Sequence, residues 1–147
     1  MTSQDATLFE DTFTIDTINA EKYDRVSRLT MVSEDASTAM SLDVNTELYP
    51  CLRGEKLQIL LATSLSLDGS KDEKGWRDVA KVGSDSEPTL ADMYDYVCHG
   101  KLYKFEEAED NNLKAFVSFG GLLMCLEGGY KKLTPLRVEY LYLLIKK

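Results

Sequence analysis

Apolar and polar residues alternate along much of this chain, which is the period of a β-strand. In "TFTIDTI", Phe13 and Ile15 share one side and polar residues lie between them. In "MSLDVNTEL", Met40, Leu42 and Val44 fall on one face and polar side chains fall on the other. Because successive side chains of a strand point to opposite faces, both segments predict half-buried strands.

The same signal recurs in later segments, with two variations. Residues 56–65 are apolar on both faces, as in a central strand, and Gly100 interrupts the strand predicted over 93–107, as at a bulge or hairpin. The remaining strand signals are "RVSRLTMVS", "LKAFVSF", "GLLMCLEG" and "RVEYLYLLIKK". No long segment shows the stripe of an amphipathic helix. About eight short strands separated by turn signals predict an all-β barrel or sandwich.

Residues 67–90 break the pattern. They contain three glycines and one proline, mixed charge and no sustained period, with Trp76 as the one large side chain. We interpret them as a long loop, which in a compact domain is usually either mobile or functional.

The composition fits a single folded domain spanning residues 1–147. The chain has 147 residues, of which 44% are hydrophobic, so it can bury a core. Its net charge of −8 argues against a surface that coats duplex nucleic acid. The charge is uneven, because residues 1–20 are acidic and residues 131–147 are basic. The two ends could therefore lie together in the fold or face different partners.

The cysteines and the N-terminal sequence indicate a soluble intracellular protein. The three cysteines have no CxxC spacing, which is typical of free thiols in a reducing compartment. The first residues are acidic and lack the apolar run of a signal peptide, and no segment is long and apolar enough for a membrane helix.

Two glycine pairs, Gly120-Gly121 and Gly128-Gly129, raise the question of a phosphate-binding loop. "GGLLMCLEGG" matches neither a P-loop nor a dinucleotide fingerprint, and no amphipathic helix is expected after either pair. We therefore expect the first pair to turn one strand into the next and the second pair to end that second strand.

No constellation of residues points to catalysis, a metal or a cofactor. His99 is the only histidine and has no metal-binding or triad spacing, so it is interpreted as an outward strand residue. Acidic pairs such as Glu106-Glu107 are more typical of solvated loops than of a hydrolase. We expect no catalytic residue, no metal site and no cofactor.

A small basic and aromatic cluster offers a second class of function. Lys22, Tyr23, Arg25 and Arg28 lie close together before and within a predicted strand. Such groups on a barrel face can bind single-stranded nucleic acid. The alternative hypothesis is therefore a free-standing single-strand-binding protein of OB-fold type.

Several motifs resemble one known family along nearly the whole chain. They are "LFEDTF", "LDVNTELYP", "YDYV", "YKFEE", "SFGGLLM" with "LEG", and "YLLIKK". Together they resemble the RPABC3 family, the small subunit shared by eukaryotic nuclear RNA polymerases I, II and III. The resemblance implies an eight-stranded antiparallel barrel of OB-fold type with no active site. It also implies packing on the largest polymerase subunit, location in the nucleus including the nucleolus, and weak non-specific single-stranded DNA binding at about residues 19–42.

The sequence departs from the family pattern at two positions. Cys125 stands where a basic residue is expected, and His99 stands where an aromatic residue is usual. For the partner interface we predict Tyr94, Tyr96, Phe119, Gly120 and Gly121. Tyr96 and Phe119 could equally belong to the core.

Overall fold

A computed structural model describes residues 7–20, 25–65 and 90–147. Within these ranges the chain forms eight strands, which confirms the predicted all-β class. The strands are β1 (Thr7–Asn19), β2 (Val26–Ser33), β3 (Ala39–Asn45), β4 (Lys56–Ala62), β5 (Tyr96–Glu107), β6 (Asn112–Phe119), β7 (Leu122–Gly129) and β8 (Tyr140–Lys146). Short 3-10 turns lie at Leu90–Met93 and Glu109–Asn111, and a one-turn helix, α1, spans Tyr130–Leu133. The predicted loop 67–90, with Trp76, lies outside the described residues except for Leu90, which begins the first turn.

The eight strands close into one antiparallel barrel. The order around the barrel is β1-β2-β3-β7-β6-β5-β8-β4, and β4 pairs with β1 to complete the ring. The predicted barrel of OB-fold type is confirmed, and the sandwich alternative is excluded.

Inward side chains fill the barrel as the alternating pattern predicts. Phe13 and Ile15 of β1, and Met40, Leu42 and Val44 of β3, are buried in one continuous core. The same core takes Ala115, Val117, Phe119, Met124, Leu126, Leu141, Leu143 and Ile145 from β6, β7 and β8. Burial of this apolar surface is the main source of the barrel's stability.

A second, smaller apolar cluster lies on the outside of the barrel. Its buried members are Leu60, Ala62, Leu65, Tyr142 and Leu144. This cluster explains why residues 56–65 are apolar on both faces, since β4 and its neighbour β8 are covered inside and outside.

The start of β5 differs from the prediction. Tyr94 precedes the strand, and β5 runs without interruption through Gly100. The irregularity lies instead between Leu102 and Lys104. Gly100 is needed for close packing, because a Cβ at this position would overlap the Ser118 carbonyl oxygen and the Phe119 ring.

The two glycine pairs have different structural roles. Gly120 and Gly121, with φ of 64° and 101°, form the two-residue turn between β6 and β7, as predicted. Gly128 and Gly129 end β7, but Gly129 has φ of −69° and leads into α1. The expectation that no amphipathic helix follows either pair is wrong for the second pair, since the one-turn helix α1 comes directly after it and buries Leu133 in the core.

The oppositely charged ends of the chain meet in the fold. Lys132 Nζ lies 2.6 Å from Asp11 Oδ2. For these two residues, the contact supports the first alternative, in which the acidic and basic segments lie together in the fold.

Candidate partner-binding surface

The outer wall of the barrel carries a group of aromatic and apolar side chains, which we call the aromatic face. It consists of Tyr103, Phe116, Leu123, Cys125 and Tyr140. Tyr140 is 55% exposed, Tyr103 is 41% exposed and Leu123 is 39% exposed. These residues lie on neighbouring strands, since β8, β5, β6 and β7 are consecutive in the barrel.

The strand register brings the members of the aromatic face together. Phe116 lies opposite Cys125 on the neighbouring strand, and its ring centroid is 6.4 Å from that of Tyr103. Tyr140 lies opposite Lys101 on β5. Phe116, Leu123, Cys125 and Tyr140 alternate with buried residues, so their side chains point outward. Tyr103 lies within the β5 irregularity, and its side chain is exposed on the same wall.

Two lysines lie over the rings of this face. Lys101 Nζ is 5.4 Å from the Tyr140 ring centroid, and Lys104 Nζ is 4.8 Å from the Phe116 ring centroid. A hydrogen bond to Glu106 raises the pKa of Lys104, which keeps this side chain cationic. Exposed aromatic rings are typical of surfaces that protein partners cover.

His99 extends the face toward the exterior cluster. Its ring stacks on Tyr140 at 5.5 Å with an interplanar angle of 8°, and lies 4.9 Å from the Tyr142 ring. His99 is half-buried between these rings, as an outward strand residue with aromatic neighbours.

Cys125 lies at the edge of a shallow groove beside the face. The groove has a volume of about 130 Å³ and is lined by Thr30, Ala39, Met40, Ser41, Cys125 and Glu127. Burial raises the pKa of the Cys125 thiol, so it is neutral at physiological pH.

A buried carboxylate holds the rim of the aromatic face in place. Asp43 is 3% exposed, and its Oδ2 accepts the backbone N–H of Leu123 at 3.0 Å. The last register pair between β3 and β7 is Leu42 with Met124. The Asp43 side chain therefore continues the connection between these strands beyond their backbone ladder.

Within the described residues, the basic cluster predicted to bind nucleic acid does not form a set of free cations. Lys22 and Tyr23 lie outside those residues. Arg25 Nε lies 3.1 Å from Glu47 Oε2, and Arg28 Nε lies 2.7 Å from Asp43 Oδ1. Both described arginines thus have a carboxylate partner.

The predicted interface tyrosines are partly internal. Tyr96 is half-buried against the core, stacks on Tyr49 at 5.3 Å, and its hydroxyl accepts the Asn45 N–H at 3.3 Å. Desolvation by burial raises the pKa of Tyr96 to about 12. Tyr94 packs on the exterior cluster with Lys146 Nζ 4.8 Å from its ring centroid.

At the β6–β7 turn the structure decides between the two roles left open for Phe119. Its ring is 8% exposed and belongs to the core, so it is not an outward anchor. Gly120 and Gly121 are exposed at the turn and offer backbone only. The sequence did contain a signal for the exposed residues Tyr103, Phe116, Leu123 and Tyr140. Each is a large residue that alternates with core residues along its strand.

Neither a metal site nor a membrane-spanning helix is found in the described ranges. Within residues 7–20, 25–65 and 90–147, no group of His, Cys, Asp or Glu could hold a metal ion. In the same ranges, no helix is long and apolar enough to cross a membrane.

Comparison with known proteins connects this barrel to one family. The family model described as RNA polymerase Rpb8 matches residues 10–147. A Dictyostelium discoideum protein named DNA-directed RNA polymerases I, II, and III subunit rpabc3 is 42% identical over 144 residues, covering 95% of this chain and 96% of the relative. The Arabidopsis thaliana subunit 8B of polymerases II, IV and V is 40% identical, covering 95% of both chains. The Saccharomyces cerevisiae RPABC3 subunit is 38% identical, covering 96% of this chain and 98% of the relative.

Proposed function

The chain belongs to the RNA polymerase Rpb8 family, and from this premise we propose that its aromatic face attaches it to the polymerase core. The protein is a non-catalytic subunit of nuclear DNA-directed RNA polymerase. Its relatives are named as subunits of polymerases I, II and III. Its contribution to transcription is then structural, through the surface it covers on the assembled enzyme.

The observation that carries the proposal is the composition of the aromatic face. Large aromatic side chains such as Tyr103 and Tyr140 are exposed on one wall, although the core holds the inward residues of the same strands. Exposed Tyr and Leu side chains are costly to hydrate, and aromatic residues are enriched at the centres of protein interfaces. Lys101 at the Tyr140 ring would favour a partner segment that carries an acidic residue, whereas Lys104 is already paired with Glu106.

We further propose that the partner at this face is the largest polymerase subunit. The support is the family resemblance, which implies packing on that subunit. Participation in polymerase I as well as II and III would place a fraction of the protein in the nucleolus. Imaging of the tagged chain beside a nucleolar marker tests this point, and absence from nucleoli would restrict it to the other polymerases.

Affinity purification from nuclei tests the proposed attachment. The tagged wild-type chain is expected to bring down the polymerase core with the largest subunit. Tyr103→Asp should lower the recovered largest subunit about tenfold or more, the effect of losing about 1.4 kcal/mol at an interface anchor.

A matched control separates the face from a general effect of added charge. Tyr130 on α1 is 48% exposed and lies outside the aromatic face, so Tyr130→Asp should leave recovery unchanged. If Tyr103→Asp and Tyr130→Asp recovered equal amounts of the largest subunit, the attachment would belong to a surface other than the aromatic face. A wild-type chain that recovers no polymerase subunit would overturn the attachment itself.

Single-stranded DNA is a second candidate partner, supported by one observation. The Arg25 side chain is 74% exposed, and its pair with Glu47 is at the surface, where such pairs contribute little. Phosphate could therefore replace Glu47. Arg25→Ala should reduce binding to an oligonucleotide and flatten its dependence on salt. Unchanged affinity would remove this residue from consideration.

A further inference from the structure

The junction between β3 and β7, which we call the seam, is the shortest of the eight strand junctions in the barrel. Its ladder covers four residue pairs, from Ala39 with Glu127 to Leu42 with Met124. By contrast, β6 and β7 pair over eight residues, and β2 and β3 pair over seven. The ladder between β4 and β8 covers five pairs, but apolar clusters cover that junction inside and outside.

On the outer side of the seam, the side chains that face each other are small or mismatched. Ser41 lies opposite Cys125, and Ala39 lies opposite Glu127. These residues, with Thr30, line the shallow groove of about 130 Å³ beside the aromatic face. Packing between cross-strand side chains contributes much of the stability of a sheet. The outer side of the seam therefore lacks a stabilisation that larger pairs would provide.

On the inner side, the seam is held by the core. Met40 lies opposite Leu126, and Leu42 lies opposite Met124, and all four side chains are buried. Opening the seam exposes part of this apolar surface, which costs free energy. An open seam is therefore a minor state of the folded chain, separate from global unfolding.

Side chains replace the backbone ladder at the end of the seam beyond Leu42. Asp43 Oδ2 accepts the backbone N–H of Leu123 at 3.0 Å. Farther along β3, the Asn45 N–H donates to the Tyr96 hydroxyl at 3.3 Å. Asp43 is the group that joins β3 to β7 here, and the guanidinium of Arg28 holds its carboxylate with two hydrogen bonds. We call Asp43 the latch.

The strand order limits what an open seam would disrupt. Separation of β3 from β7 leaves the other seven junctions in place, as an open sheet in the order β3-β2-β1-β4-β8-β5-β6-β7. No second junction has to break. Opening at the seam is therefore a local event that retains most of the barrel's backbone pairing.

We propose that the folded barrel opens at the seam between β3 and β7, and that Asp43 is the latch that sets how often it does so. The open form exposes the facing edges of β3 and β7, and free edges of this kind recruit other strands. This device belongs to the barrel itself and goes beyond attachment to the polymerase, because it operates in the free chain.

Native-state hydrogen exchange of the full chain, resolved amide by amide by NMR, tests the proposal. The backbone amides that bond across the seam, with that of Leu123, should exchange at least about tenfold faster than the amides that bond between β6 and β7. Their exchange should also depend little on low urea concentrations, because a local opening exposes little surface. Equal protection and equal urea dependence of the two sets of amides would overturn the proposal.

A substitution at the latch tests the role of Asp43. Asp43→Asn keeps the size of the side chain but removes the charge that Arg28 binds, so seam exchange should become about tenfold faster. The matched control is Ser118→Ala, which removes the side-chain acceptor of the Gly121 N–H at the β6–β7 turn. This control should leave seam exchange at the wild-type rate. Equal seam exchange in the two variants would show that Asp43 is not the latch.

A covalent bond across the seam provides a test that does not weaken the fold. Ser41→Cys places a second thiol directly opposite Cys125. Diamide takes up two electrons and two protons from the two thiols and leaves a disulfide, which mass spectrometry of the peptides identifies. The bonded variant should lose the fast exchange of the seam amides, and reduction with dithiothreitol should restore it. Fast seam exchange that persists with the bond in place would overturn the proposal, and the wild-type exchange pattern decides it if the bond does not form.

Discussion

Arg28 is joined to Asp43 by two hydrogen bonds on the outer wall of the barrel. Arg28 Nε donates to Asp43 Oδ1 at 2.7 Å, and Nη2 donates to Oδ2 at 3.1 Å. The Arg28 side chain is 34% exposed, whereas that of Asp43 is 1% exposed. The arginine thus neutralises a carboxylate that water hardly reaches, and this carboxylate supports the start of β7 at Leu123.

The first prediction concerns this pair. Arg28→Leu should lower the free energy of unfolding by about 3 kcal/mol, because the buried Asp43 carboxylate would lose both hydrogen bonds from the guanidinium. Adding Asp43→Asn should restore part of the loss. Urea unfolding at neutral pH measures both changes.

A surface pair provides the control for that experiment. Arg25 and Glu47 form an exposed pair, so Arg25→Leu should cost less than about 1 kcal/mol. Equal costs for the two arginine substitutions would show that the Arg28–Asp43 pair does not stabilise the barrel.

The second prediction concerns Gly100. Gly100→Ala should lower the free energy of unfolding by about 3 kcal/mol, since the added Cβ overlaps backbone and ring atoms that cannot move far. Gly129→Ala is the matched control, because a Cβ there has no heavy atom within 4 Å and the φ of −69° suits alanine. Chemical unfolding of both variants checks the difference, and equal midpoints would contradict it.

The third prediction concerns alkaline pH. Burial raises the pKa of Tyr96 to about 12, above the value of about 10 expected in an unfolded chain. The unfolded state therefore releases this proton first, and stability present below pH 10 should fall as pH rises through about 12. Tyr96→Phe should flatten this part of the unfolding free energy profile. A profile that keeps the same slope would exclude Tyr96 as its cause.

The fourth prediction concerns Cys125 at the aromatic face. In the free chain, iodoacetamide should label the half-buried Cys125 faster than Cys51, which is 9% exposed. Because burial raises the pKa of Cys125, its labelling should accelerate as pH rises above neutral. In the assembled polymerase Cys125 should be protected. Equal labelling in free and assembled states, measured by mass spectrometry, would place Cys125 outside the interface.

The strands could be predicted from the sequence because their signal is local. The parity of Leu113, Ala115, Val117 and Phe119 identified the inner face of β6, and a glycine pair identified the following turn. The irregularity after Leu102 could not be located, because it depends on how β5 matches β6. The order of the barrel, which sets β3 beside β7 and β5 beside β8, likewise depends on pairings between distant segments.

The candidate site was harder to predict for a related reason. Arg25 and Arg28 form a basic cluster in the sequence, but their carboxylate partners Glu47 and Asp43 come from a different part of the chain. Phe119 was proposed for an interface as an aromatic residue of the predicted 118–127 hairpin, although its parity with Val117 indicated the core. The members of the aromatic face are contributed by four strands, so no short sequence window contains them together.

Closure of the barrel has a consequence for the life of the subunit before assembly. Each of the eight described strands has a bonded neighbour on both sides over part of its length, so none of them is an edge strand from end to end. Open edges recruit further strands and start aggregates. A subunit synthesised apart from its large partners must remain soluble while it carries exposed leucines and tyrosines. Closure of the ring limits aggregation through strand edges. The free subunit can therefore stay unaggregated before assembly while its binding residues are exposed.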